Sequence, residues 1–78
     1  MYPNPNNGTM QLDYTLNEGD KGELTIYDLM GRTVNRYFLH ADEHMLFIRE
    51  EALKNGIYIY RLVINDKMVS SDKLIIIK

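Results

Sequence analysis

Two histidines four residues apart, His40 and His44, bracket Asp42 and Glu43, and they are the first residues in the chain whose spacing points to chemistry. On a helix they would share a face, and a neighbouring carboxylate would complete a crude divalent-metal site. Zinc sites want three or four converging ligands, and nothing else in the sequence is placed to converge on this pair. They read as solvated loop histidines, and no metal site is assigned. Ser70 and Ser71 have no histidine nearby in sequence and fall in what reads as a hairpin arm, where they are surface residues rather than nucleophiles. Asp28 has the chemistry of a catalytic acid, but its position just before Leu29-Met30-Gly31 suits a carboxylate that accepts the amide hydrogens of a turn. The glycines never form a phosphate-cradling pattern ahead of a helix. Asn7-Gly8-Thr9 has the spacing of an N-glycosylation acceptor, a common coincidence. No catalytic residue and no cofactor are assigned.

The aromatic content raises a different chemistry, because exposed rings stack on sugars. The chain has six tyrosines and two phenylalanines. Tyr58 and Tyr60, however, alternate onto the face that carries Leu62 and Ile64, so packing in the core with the hydroxyls at its rim is the better reading.

The elements that must position these residues are constrained by size. A chain of 78 residues buries only about 60% of its unfolded surface, enough for one small core. Nine Lys and Arg against eleven Asp and Glu give a net charge of -2. The basic residues are spread evenly along the chain, so a nucleic-acid partner is not expected. Cysteine is absent, which removes disulfide and thiolate chemistry and leaves the redox compartment open. The longest apolar run falls far short of the roughly 20 residues of a membrane-crossing helix, so no stable membrane insertion is expected. Met1 set directly against Tyr2-Pro3-Asn4-Pro5 reads as an added initiator on a piece excised from a longer polypeptide.

Period-two alternation marks most of the elements. Met10, Leu12, Tyr14 and Leu16 alternate with Gln11, Asp13 and Thr15, as in a half-buried strand over residues 10–16. Residues 17–22 form a polar turn. Leu24 and Ile26 point inward from the next strand, over 23–29, and Gly31 takes the positive φ of the tight turn before a return strand at 33–39. Residues 40–56 stay ambiguous. At 3.6 residues per turn, Asp42 caps a helix ended by Gly56; at period two, residues 45–48 form a strand and Leu53 plugs the core from a loop. The last third is β-branched and aromatic. Residues 56–65 put Tyr58, Tyr60, Leu62 and Ile64 on one face and Ile57, Ile59, Arg61 and Val63 on the other, which predicts a strand covered on much of both faces. Asn65, Asp66 and Lys67 turn the chain, and 68–78 return with Leu74, Ile76 and Lys78 alternating against Ile75 and Ile77. Strands of this number, with glycine-marked turns, predict an all-β fold, a small antiparallel β-sandwich.

The opening, residues 2–8, carries Pro3 and Pro5 around Asn4. Each proline fixes its own φ and biases its predecessor toward extended geometry, so residues 2–5 should form a stiff, extended lead-in. Asn6, Asn7 and Gly8 supply turn-tolerant residues before the first strand.

Five blocks in order give the chain a family resemblance: Tyr2-Pro3-Asn4-Pro5 with Gly8; Tyr14-Thr15-Leu16; residues 24–32, LTIYDLMGR; residues 53–62, LKNGIYIYRL, with Leu53, Gly56, Tyr58 and Tyr60; and residues 73–78, KLIIIK. The sequence is similar, over nearly its whole length, to the C-terminal sorting domain (type A) of proteins exported by the type IX (Por) secretion system of Bacteroidetes-type Gram-negative bacteria. One departure is Asn65-Asp66 where the family commonly has Asn-Gly at the hairpin turn; aspartate tolerates positive φ better than most residues.

The resemblance implies an immunoglobulin-like β-sandwich of about seven strands, which favours the strand for 45–48. It implies a non-catalytic secretion signal at the C-terminus of a larger secreted cargo, with residues 1–78 as a single domain. The cargo passes through the periplasm to the outer-membrane translocon, and a sortase-like surface protease then removes the domain, so that the cargo is released or anchored at the cell surface. The expected recognition residues are Gly56, Tyr58 and Tyr60 with Lys73, Leu74, Ile75, Ile76, Ile77 and Lys78, because an apolar strand at a sheet edge offers unpaired backbone groups to a partner. An exposed edge also permits a dimer of the isolated domain. The alternative is a carbohydrate-binding or adhesion sandwich of a surface protein.

Overall fold

The computed structural model describes residues 1–78. Every regular element is a strand: β1 (Thr9–Asp13), β2 (Gly22–Tyr27), β3 (Thr33–Leu39), β4 (Met45–Arg49), β5 (Gly56–Ile64) and β6 (Lys67–Ile76). All pairings among these six strands are antiparallel. β1 and β4 form a two-stranded sheet, and the other four form a sheet in the order β3-β2-β5-β6. The core is built by alternation. Met10 and Leu12 of β1 and Ile48 of β4 come from the small sheet, and Leu24, Ile26, Leu39, Tyr60, Leu74 and Ile76 from the large one. Burying each such side chain contributes about 1.5–3 kcal/mol before chain entropy is offset.

The ambiguous segment is a strand. Met45, Phe47 and Arg49 face solvent while Ile48 is buried, a period-two pattern held by the ladder to β1. Leu53 is buried from the following loop. The first strand is shorter than its alternation predicts, ending at Asp13. Tyr14 and Leu16 are still buried beyond it. The Tyr14 amide donates to the His44 carbonyl at 3.0 Å as the chain leaves this sheet to enter the other. That bond is in register with the β1–β4 ladder, and beyond it Leu16 is buried from the segment that leads to β2.

Two further expectations are corrected. β5 is central, between β2 and β6, but no second layer covers its outer face, where Ile57 is 45% exposed. Part of that face is roofed by long side chains: Arg61 lies 5.1 Å from the Tyr27 ring centroid, and Arg36 pairs with Glu23 at 2.6 Å. Such stems and ion pairs partly replace a layer. The opening is not a lead-in either. Both prolyl bonds, Tyr2–Pro3 and Asn4–Pro5, are cis, and the segment lies on the sheets, Tyr2 bridging Gln11 of β1 and Asn6 bridging Ile76 of β6. Six strands and these two bridges stand where about seven strands were expected.

Candidate recognition site

The residues expected to be read lie on the β5–β6 hairpin. Its turn works without the usual glycine: Asn65 and Asp66 have φ of 52° and 65°, the two left-handed residues of a tight hairpin turn. The Asn65 carboxamide holds it against the preceding loop, accepting from the Lys21 amide at 2.9 Å and donating to Asp20 at 2.8 Å. From there β6 runs as an edge strand to Ile76, with Leu74 opposite Tyr58 and Ile76 opposite Gly56.

Side chains along the hairpin divide sharply by exposure. Leu74 and Ile76 are 0% and 1% exposed and Tyr60 is buried, so these three act through the core. Lys73, Ile77 and Lys78 are exposed, and Ile75 and Tyr58 are half-buried. The Tyr58 hydroxyl donates to the Lys54 carbonyl at 2.8 Å, and the Lys78 amide donates to the Asn55 side chain at 2.8 Å, tying the loop before Gly56 to the tail.

The outward backbone of the tail is not free. Asn4 Nδ2 donates to the Lys73 carbonyl at 2.8 Å, and the Ile75 amide donates to Asn4 Oδ1 at 3.0 Å. The Asn6 amide donates to the Ile75 carbonyl at 2.9 Å, and the Ile77 amide donates to the Asn6 carbonyl at 2.8 Å. Residues 2–6 therefore form a clasp, anchored on β1 through Tyr2 and on β6 through Asn4 and Asn6. Asn6 itself is buried; its Oδ1 accepts from the Gly8 amide at 2.8 Å and its Nδ2 donates to the Pro3 carbonyl at 3.0 Å. Asn4 is visible in the sequence as part of a motif and Asn6 only as a turn-tolerant residue, although an asparagine two residues before a glycine is a recognisable side-chain turn.

On the opposite rim, Asn35 Nδ2 donates to Glu50 at 2.6 Å and the Tyr37 hydroxyl donates to the same carboxylate, joining β3 to the loop after β4. Asp28 sits in the β2–β3 turn, where Oδ1 accepts the Met30 and Arg32 amides at 2.9 and 3.0 Å and Oδ2 accepts Arg32 Nε at 2.9 Å. Gly31 completes this turn at φ 84°. His40 meets Tyr14 through its main chain, its carbonyl accepting the tyrosine hydroxyl at 3.2 Å. No group of three or more His, Cys, Asp or Glu is arranged to hold a metal ion.

Hydrogen bonds to carboxylates set the acid limb of stability. The Arg32 amide and then its guanidinium hold Asp28 below the usual range, the Tyr2 hydroxyl and the Gln11 amide do so for Asp13, and the Asn65 and Asn17 amides for Asp20. Depressed carboxylate pKa values contribute stability above the ordinary aspartate range near pH 4, and it is lost as pH falls through the folded values. Tyrosines set the other limb: Tyr2 is raised chiefly by its bond to Asp13, and Tyr60 chiefly by burial. Raised phenol values contribute stability that is lost as pH climbs past about 10. Urea midpoints should be flat from about pH 5 to 9 and fall on both sides, with Asp28→Asn shallower on the acid side. A midpoint unchanged down to about pH 2 would contradict these carboxylate roles.

These features define a small β-sandwich whose distinctive chemistry lies in a sheet edge, a clasp and two tight turns. The chain matches the family described as the secretion system C-terminal sorting domain over residues 1–78, and it belongs to that family. It is a type IX secretion C-terminal sorting signal, of a protein secreted across the outer membrane of a Gram-negative bacterium. No curated protein and no solved structure was found to match the chain.

Proposed function

We propose that residues 1–78 form one domain at the C-terminus of a larger secreted cargo, read by the type IX outer-membrane translocon after passage through the periplasm. A sortase-like surface protease then removes the domain, and the cargo is released or passed to a surface anchor. The domain contributes no catalytic group and is the substrate of that step. The family match over the whole length of the chain carries this reading. The fold is consistent with an immunoglobulin-like sandwich in which the Tyr2 and Asn6 bridges stand in place of a seventh strand. The large sheet's edges, β3 and the part of β6 before the clasp, are the surfaces through which isolated copies would pair.

The test is a fluorescent reporter bearing a signal peptide and ending in residues 2–78, in cells with an intact type IX system and in a translocon-null strain. Surface reporter in the intact cells alone is the expected result. Reporter left in the periplasm of both, with the domain folded, would sink the sorting reading and turn attention to glycan binding. That alternative would need aromatic residues other than Tyr60, which is buried.

A further inference from the structure

The clasp on β6 is a makeshift strand. In a parallel ladder, each partner residue donates its amide to one carbonyl and accepts, at its own carbonyl, from the amide two residues further along. Asn6 does this with main-chain atoms, taking the Ile75 carbonyl and the Ile77 amide. Asn4 does the same one rung earlier, with the Lys73 carbonyl and the Ile75 amide, but with its side-chain carboxamide standing in for a peptide unit. Pro5, between them, has no amide hydrogen with which to add a bond. The clasp is shallowly held at this end, with Pro3, Asn4 and Pro5 all exposed.

A second observation lies beside the same edge. Ile57 pairs with Ile75 on the outer face of the large sheet. Ile57 is 45% exposed and Ile77, next in the alternation, is 59% exposed. The edge therefore combines four outward backbone groups in parallel register with an apolar strip that the chain leaves uncovered. Lys73 lies at the start of that strip, while Lys78 alternates to the other face, where its Nζ donates to the Glu51 carbonyl.

We propose that residues 73–77 are an acceptor edge for an extended strand of the secretion machinery, running parallel to β6 and apolar at alternate positions, which displaces Asn4 and Asn6. The choice of the secretion machinery as partner rests on the sorting reading above. Exchange trades hydrogen bonds for hydrogen bonds at little net change. The surplus comes from apolar side chains laid over Ile57, Ile75 and Ile77. The opening motif then acts as a cover for the tail, and recognition of one end of the domain releases the other.

The proposal separates a dispensable cover from an essential acceptor. Asn4→Ala should speed amide exchange at Ile75 and Ile77 about five- to tenfold while Leu24 and Ile26 stay protected, and the reporter should still reach the surface. Ile77→Pro removes one outward donor beyond the last β5–β6 pair; core protection should persist while surface reporter falls roughly tenfold or more. Unchanged exchange in Asn4→Ala, loss of export by a folded Asn4→Ala domain, or normal export of Ile77→Pro would each overturn the proposal. If the wild-type reporter itself stays in the periplasm, the secretion machinery is removed as partner and the proposal falls with it, while the exchange rates still report whether the clasp covers the edge.

Discussion

Leu74→Ala should remove a large share of the domain's stability and lower export with it. Leu74 is fully buried, at 0% exposure, and truncating such a side chain costs about 2–5 kcal/mol. The whole chain has roughly 4–12 kcal/mol to lose, at about 0.05–0.15 kcal/mol per residue. Ile77→Ala is the matched control. Ile77 is 59% exposed, three residues from Leu74 on the same tail, and its truncation should move stability by less than about 1 kcal/mol. Urea denaturation of both variants, alongside the reporter assay, separates folding from reading. A Leu74→Ala midpoint equal to wild type would refute the core position assigned to the tail. The contrast also bears on truncation: deleting residues 72–78 removes Leu74 and Ile76 from the core, so loss of export after that deletion reports unfolding as readily as loss of a recognition surface.

Gly8→Ala should be nearly as damaging, for a reason local to the backbone. Gly8 has φ of 102°, and a Cβ built on it would lie 2.6 Å from the Glu50 carbonyl oxygen. That oxygen belongs to main chain, so relief requires moving the end of β4 or the start of β1. The Glu50 amide also donates to the Gly8 carbonyl at 2.7 Å, and any shift stretches that bond. Strain, clash and the weakened bond together should cost about 3 kcal/mol. Gly31→Ala provides the comparison: its φ is 84°, but a Cβ there would meet nothing within 4 Å. Only the conformational cost applies, about 1–2 kcal/mol. Thermal melts of the two variants should therefore rank Gly8→Ala clearly below Gly31→Ala, and the reverse order would show that the Gly8–Glu50 contact yields freely.

What the sequence made legible follows from the range of the forces involved. β2 and the end of β6 are legible in the alternation of Leu24 and Ile26 and of Leu74 and Ile76, because a strand with one buried face must alternate. β3 and the first seven residues of β6, by contrast, are almost wholly exposed and are placed by the turns that bound them. The Asp28 turn is legible because a carboxylate three residues before a glycine acts on its own neighbours. The clasp is not, because Asn4 bonds partners 69 and 71 residues away through its side chain. A long-range contact made by one carboxamide leaves no periodic trace. Residues 45–48 are too short for periodicity to separate strand from helix, and the partner that decides the matter, β1, lies far back in the chain. Ile57 and Ile59 suggested a covered face because β-branched residues favour central strands whether or not a second layer exists.

The parallel sense of the Asn6–Ile76 bridge has a mechanical consequence. Tension drawn between residue 1 and residue 78 pulls the clasp and the tail in opposite directions along their common axis, so the four bonds between them share the load in shear. A strand arriving from the side meets the same bonds one at a time and peels them. The joint is firm under traction along the chain and yielding to lateral replacement, so the direction of a force alone decides whether it holds.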